Sequence, residues 1–231
     1  MAFQAGYVNA GGFLACHRFV SHVTGFGTQL GYSLTRKDWL FTVELAMAPL
    51  SFIGGAACVA MLIDRELIHG REPHVRLALF IMSAIASLVW VAGELGLFGV
   101  FGEPLLFQRD FILLFSLCFL CGFQNALFVS LSTGAIRTTH LTGIATDIGI
   151  NLVRQKHLTG EEKSFVVHQN YLRIATFVIF TFGSMSATLV FPIVEYHGFV
   201  VPALLSVSIL IYIFIVFSRE NFYGKNVPKT H

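Results

Sequence analysis

The stretch Ser21-His22-Val23-Thr24-Gly25-Phe26-Gly27-Thr28-Gln29-Leu30-Gly31 returns, 118 positions on (His22 to His140), as Thr139-His140-Leu141-Thr142-Gly143-Ile144-Ala145-Thr146-Asp147-Ile148-Gly149. His, Thr, Gly, Thr and Gly recur in register, and the positions between them stay mostly apolar or small. The match continues upstream once two residues are inserted: Gly6-Tyr7-Val8-Asn9-Ala10 answers Gly122-Phe123-Gln124-Asn125-Ala126. A repeat spanning half the chain means that one unit is built twice, so any fold must place two equivalent copies. The copies define two halves, 1–108 and 109–231, of one domain.

What surrounds them is apolar. Hydrophobic residues make up 55% of the chain and charged ones only 12%, with mean hydropathy +0.72. A soluble domain carries about 25% charged residues, so this chain lacks the polar surface to face water all round. Phe occurs 24 times, more than one soluble core can absorb. The class expected is an all-α integral membrane protein in the lipid bilayer of the cell (inner) membrane. A net charge of +2, with basic residues scattered through short loops, excludes a nucleic-acid footprint. Cys16, Cys58, Cys118 and Cys121 all fall in apolar stretches, so Cys118-Phe-Leu-Cys121 reads as packing rather than as a redox or metal pair. The start of the chain has no evident cleavable signal peptide.

A bilayer-spanning helix needs about 20 mostly apolar residues. Six stretches qualify: Ala2–Val20, Trp39–Ile63, Leu77–Phe101, Phe111–Ile136, Leu172–Val194 and Phe199–Phe217. Each copy of the repeat follows the first span of its half. It is too short and too rich in Gly and Thr to cross alone, yet too apolar for an aqueous loop. A broken helix, or a half-helix dipping back into protein interior, is expected there, because freed backbone groups survive in a membrane only under cover of protein or in a wet cavity. Thr159-Gly160-Glu161-Glu162 has the capping-box pattern and predicts a helix start. Asp64–Arg76, holding six charges around Gly70 and Pro73, predicts a solvated loop. Gly54-Gly55-Ala56-Ala57 and Gly183-Ser184-Met185-Ser186-Ala187 predict close helix contacts.

Orientation follows the basic residues. With the N-terminus inside, Arg65, Arg71, Arg76, Arg154, Lys156, Lys163, Arg173, Arg219, Lys225 and Lys229 are cytoplasmic, and Arg36, Lys37 and Arg109 are outside. Both termini are then cytoplasmic. Three spans per half is an odd number, so the second half enters the membrane from the opposite side. The expected architecture is two inverted three-helix repeats, an arrangement common in secondary transporters, where broken helices from both halves build a site near the midplane.

Across Gly6–Gly31 and Gly122–Gly149 the chain resembles the YoaK family of six-span bacterial membrane proteins of unknown function. The motifs that carry the resemblance are Gly-x-x-Asn-Ala and the Thr-Gly after the first span of each half. The family pattern usually carries Asp where this chain has Asn9, and Asn after Thr-Gly where this chain has Phe26 and Ile144. The resemblance implies fold and membrane location and supplies no activity.

Polar residues at membrane depth are the candidates for chemistry, since burying them is costly unless they are paired or wet. They are Asn9, His22, Thr24, Gly25 and Thr28 in one half, with Gln29 beside them, and Asn125, His140, Thr142, Gly143, Thr146 and Asp147 in the other. A broken helix offers unpaired N–H groups at a partially positive end. Thr hydroxyls and imidazoles there suit a polar or anionic solute. The competing reading gives each His a structural hydrogen bond, and leaves Thr-Gly as turn geometry only. Gly25 and Gly143 fit positions where a Cβ would not. Asp147, whose partner position is Gln29, reads as an ion-pair partner for Arg137 or as a proton or cation site. Glu44 and Glu94 are further candidates for pairing with Arg18 or Arg137.

No enzyme motif is present, neither Gly-x-Ser-x-Gly nor His-Glu-x-x-His nor a phosphate-binding glycine loop. No catalytic residue, cofactor or metal is assigned. His17, His22 and His140 as haem or metal ligands would predict visible absorbance or bound metal. The reading is a permease or channel for a small polar solute. The alternative is a non-transporting membrane protein, either an intramembrane enzyme or a partner-binding subunit.

Overall fold

The computed structural model describes residues 1–103, 108–131 and 141–225, with side chains outside 108–110 and 216–225. The elements are α1 (Ala2–Cys16), α2 (Val23–Thr35), α3 (Trp39–Leu62), α4 (Asp64–Ile68), α5 (Val75–Glu94), α6 (Gln108–Leu131), α7 (Leu141–Arg154), α8 (Gly160–Val194), a 3₁₀ turn (Glu195–Phe199) and α9 (Val200–Lys225). Among the described residues there is no strand. Among the described residues four helical stretches are long and apolar enough to cross a membrane: Trp39–Ile68, Val75–Glu94, Phe111–Leu131 and Gly160–Ile215. The last takes in α8, the 3₁₀ turn and the first part of α9. α1 has fifteen residues, about 22 Å of helix, which is less than a span requires. Large apolar side chains such as Leu50, Ile53, Phe80, Leu88, Leu189 and Ile193 point outward. An aqueous surface would not carry so continuous an apolar cover.

The helices are brought together by one device used four times. Phe3-x-x-Gly6 on α1 crosses Phe180-x-x-Gly183 on α8, and Phe52-x-x-Gly55 on α3 crosses Phe119-x-x-Gly122 on α6. A Cβ added at Gly6 would fall on the Phe180 carbonyl oxygen, and one at Gly183 on that of Phe3. Likewise a Cβ at Gly55 would meet the Phe119 carbonyl oxygen, and one at Gly122 that of Phe52. With no side chain in the way the backbones touch, and dispersion and shape do the work that the hydrophobic effect cannot do in lipid. These two crossings are the most extensive helix contacts, followed by α5 on α9; the short helices α2 and α7 lie along α3 and α8 respectively. The expectation that Gly55 and Gly183 are packing glycines is met. Gly6 and Gly122, read from sequence only as motif positions, complete the set.

Local chemistry fixes where the short helices start. α1 ends at His17, whose backbone is left-handed (φ 52) and whose N–H donates to the Phe13 carbonyl at 2.8 Å. The His17 ring pairs with the Gly102 carbonyl at 2.8 Å. The chain then folds back. The Asn9 Oδ1 accepts from the Ser21 N–H at 3.1 Å and from the Ser21 hydroxyl at 2.9 Å, so the start of α2 is held beside the middle of α1. The far end of α2 is fastened to α3 by a 2.9 Å hydrogen bond between Ser33 and Thr42, both buried. Asp38 caps α3 by accepting from the Phe41 N–H at 3.2 Å. In the second half α7 is fastened to α8 near Asn170, whose Nδ2 donates to the Ile148 carbonyl at 3.5 Å.

Two expectations change. Asp64–Arg76 is not an open loop throughout: α4 forms there, and Glu66 is buried with Arg71 3.5 Å away. The helix predicted at Thr159 does begin there, with Glu161 and Glu162 in its first turn favourably placed for the helix dipole. However, Thr159 makes no side-chain cap bond, so the threonine half of the capping box is not formed.

Candidate functional site

The two copies of the repeat meet at one cavity of about 1090 Å³. Asn9 of α1, Ser21 and His22 of the returning loop, and Val23, Thr24, Gly27 and Thr28 of α2 line it from the first half. Leu141, Thr142 and Gly143, the first turn of α7, line it from the second. Phe52, Phe180 and the outward-facing Ile53 complete its lining. Phe52 and Phe180 are also the residues whose carbonyls receive Gly122 and Gly6, so the cavity sits on the two helix crossings. The starts of α2 and α7 both face this space, and each short helix runs away from it.

The geometry of the two copies is alike in detail. The Thr28 hydroxyl donates to the Thr24 carbonyl at 3.3 Å, and the Thr146 hydroxyl donates to the Thr142 carbonyl at 3.0 Å. Among the described residues the Thr24 and Thr142 hydroxyls have no hydrogen-bond partner in the protein. α2 has no side-chain cap; the Gly25 and Phe26 N–H groups reach back to the His22 carbonyl at 3.0 and 3.3 Å. His22 is exposed at the mouth, with its ring edge-on to Phe19 at 6.3 Å.

Not every candidate reaches the cavity. Asn125 is buried within α6 and Thr146 lies one turn deeper in α7; neither lines the space. His140 and Arg137 lie outside the described residues. Asp147 is an ion-pair residue, but its partner is Arg173 of α8 at 3.1 Å. At the equivalent place on α2, the Gln29 Oε1 is buried without a partner. Glu94 is exposed and faces His197 at 3.4 Å instead of Arg18 or Arg137. Gly25 and Gly143 are ordinary helical glycines. Neither has a positive φ, nothing lies within 4 Å of a Cβ at Gly143, and only the His22 ring crowds one at Gly25.

Cys16, Cys118 and Cys121 are buried in the apolar core and Cys58 is half-buried, and none of the four forms a disulfide. Among the described residues no group of three His, Cys, Asp or Glu side chains is placed to hold a metal ion. Sequence reasoning missed Ser21, Phe52, Phe180 and Arg173. For the two Phe residues a signal existed, since Phe-x-x-Gly occurs once in each of the four crossing helices.

The class so defined is an all-helical protein whose apolar helices point to a membrane, with two like short helices opening on one cavity. The chain belongs to the family described as Protein of unknown function (DUF1275), which it matches over residues 1–212; the YoaK-like motifs are consistent with that membership. No functionally curated protein and no solved structure matches it.

Proposed function

We infer that the chain is an inner-membrane protein of two inverted three-helix repeats, six spans in all with the fifteen-residue α1 as a short first span, both termini cytoplasmic, acting as a permease or channel for a small polar solute. The observation that carries this reading is the shared cavity, because the only long repeat in the sequence converges on it from both halves. Packing supports the inverted arrangement. The first helix of each half crosses the second long helix of the other half, through the same Phe-x-x-Gly pairs, and each short helix lies on the long helix that follows it. Exchanging the halves therefore exchanges equivalent contacts. In such an architecture the solute binds between the repeats near the midplane, where half-helix ends present freed backbone groups. Asn9, His22, Thr24, Gly25, Thr28, Asn125, His140, Thr142, Gly143, Thr146 and Asp147 remain the proposed neighbourhood of that site, with Asn9, Thr24 and Thr142 at its centre.

The test is osmotic swelling of proteoliposomes challenged with a panel of small polar solutes. One or more solutes should enter faster than in protein-free vesicles, and Thr24→Val and Thr142→Val should slow that entry without lowering the reconstituted amount. Equal entry in protein-free vesicles for the whole panel would favour the non-transporting alternative.

A further inference from the structure

The cavity's free polar groups are unequal in kind. Asn9 has its acceptor spent: the Ser21 backbone N–H can only donate, so the atom facing it at 3.1 Å is the amide oxygen, which also takes the Ser21 hydroxyl. The amide orientation is thereby fixed, and Nδ2 is the atom left to serve the cavity that Asn9 lines. The Thr24 carbonyl accepts from Thr28 and the Thr142 carbonyl from Thr146, which uses up the nearest backbone acceptors. The Thr24 and Thr142 hydroxyls remain, each able to donate one hydrogen bond as well as to accept. The α2 start adds N–H groups without a side-chain cap and a partial positive charge on the space. Among the described residues no carboxylate lines the cavity. The remaining walls are apolar, from Val23, Phe52, Ile53, Leu141 and Phe180.

Resting on the permease reading, we propose that the solute is a small organic monoanion, a monocarboxylate, held by its carboxylate against Asn9 Nδ2 and the Thr24 and Thr142 hydroxyls, with its alkyl body on the apolar walls. Charge-assisted hydrogen bonds to a carboxylate are the strongest interaction this donor set can make. A cation would meet the wrong sign of helix dipole and only neutral hydroxyl and imidazole acceptors, with no carboxylate among the described lining residues to balance its charge.

The experiment measures the melting temperature of the purified full chain in detergent against increasing propionate, propionamide and propylammonium at constant ionic strength. Propionate should stabilise saturably, and its uncharged and cationic counterparts should not. Asn9→Asp keeps an acceptor for Ser21 but replaces the donor with a negative oxygen. It should fold and lose roughly ten- to a hundredfold in propionate affinity. If that variant does not fold, the Thr24→Val/Thr142→Val double variant makes the same comparison. Stabilisation by propylammonium or propionamide that is lost in the Thr variants would overturn the anion assignment while leaving the cavity a solute site. Propionate stabilisation unchanged in the variants would overturn it too, by placing the anion elsewhere. No stabilisation by any probe would also overturn it, and proteoliposome swelling then judges the permease reading separately.

Discussion

Replacing Gly55 with Ala adds one methyl group at the tightest point of the α3–α6 crossing. Besides striking the Phe119 carbonyl oxygen, that Cβ would stand 2.8 Å from the Phe123 backbone nitrogen and 3.0 Å from the Phe119 carbonyl carbon. Both atoms belong to helix backbone and cannot rotate aside, so the helices must separate. Ordinary contact for such atoms is about 3.5–4 Å, so relieving the 2.8 Å approach moves the axes apart by at least about 0.7 Å, and every contact along the crossing loosens. Overpacking of this kind costs about 1–3 kcal/mol. Gly143→Ala is the matched control, because its Cβ meets nothing within 4 Å. At an unhindered helical position Ala is favoured over Gly by up to about 1 kcal/mol. The two variants carry the same chemical change and should move stability in opposite directions. Thermal unfolding in detergent, followed by the loss of the monodisperse peak on size exclusion, measures both. At roughly 2–4 °C per kcal/mol, Gly55→Ala should melt several degrees below the parent and Gly143→Ala at or slightly above it. Gly55→Ala melting with the parent, or Gly143→Ala as the damaging variant, would refute the crossing argument.

Three further outcomes follow from contacts elsewhere. Gly6→Ala and Gly183→Ala should each destabilise about as much as Gly55→Ala, and the double variant should cost less than their sum, because separating α1 from α8 once relieves both clashes; melting of the three variants measures the coupling. Thr42→Val should lower stability by about 1 kcal/mol by removing the hydroxyl that bonds Ser33 and the Asp38 carbonyl, and Ser33→Ala should add little more in the double variant. Asp147→Asn should cost no more than about 1 kcal/mol, because the carboxylate is half exposed and its pair with Arg173 is partly screened; a larger loss in melting would mean that Asp147 does more than hold α7 on α8.

The short helices and their convergence were legible because the repeat is written in residue types that mark helix starts, Thr-Gly after an apolar span. The partnership of α1 with α8, and of α3 with α6, was not legible from spacing. Phe3 and Gly183 touch across the molecule, and nothing local to either announces the other. Arg173 could not be matched to Asp147 for the same reason, and nearness in sequence favoured Arg137. Glycine carried two meanings that sequence alone does not separate. At Gly6, Gly55, Gly122 and Gly183 it admits a neighbouring backbone, whereas at Gly25 and Gly143 it sits in ordinary helix beside the cavity. Glu66 shows the limit of reading charge as solvent exposure, since α4 turns it inward beside Arg71.

The proposed transport route requires that the two halves face opposite sides of the membrane. The connections after α2 and α7 test this most directly, since one holds Lys37 and the other Lys156. In a Cys58→Ser background, where the other three native thiols are buried, Lys37→Cys and Lys156→Cys are each treated with a membrane-impermeant maleimide. Lys37→Cys should react in intact cells. Lys156→Cys should react only in inverted membrane vesicles. Labelling of both positions from the same side would contradict the inverted repeat, and with it a site built from two oppositely directed half-helices.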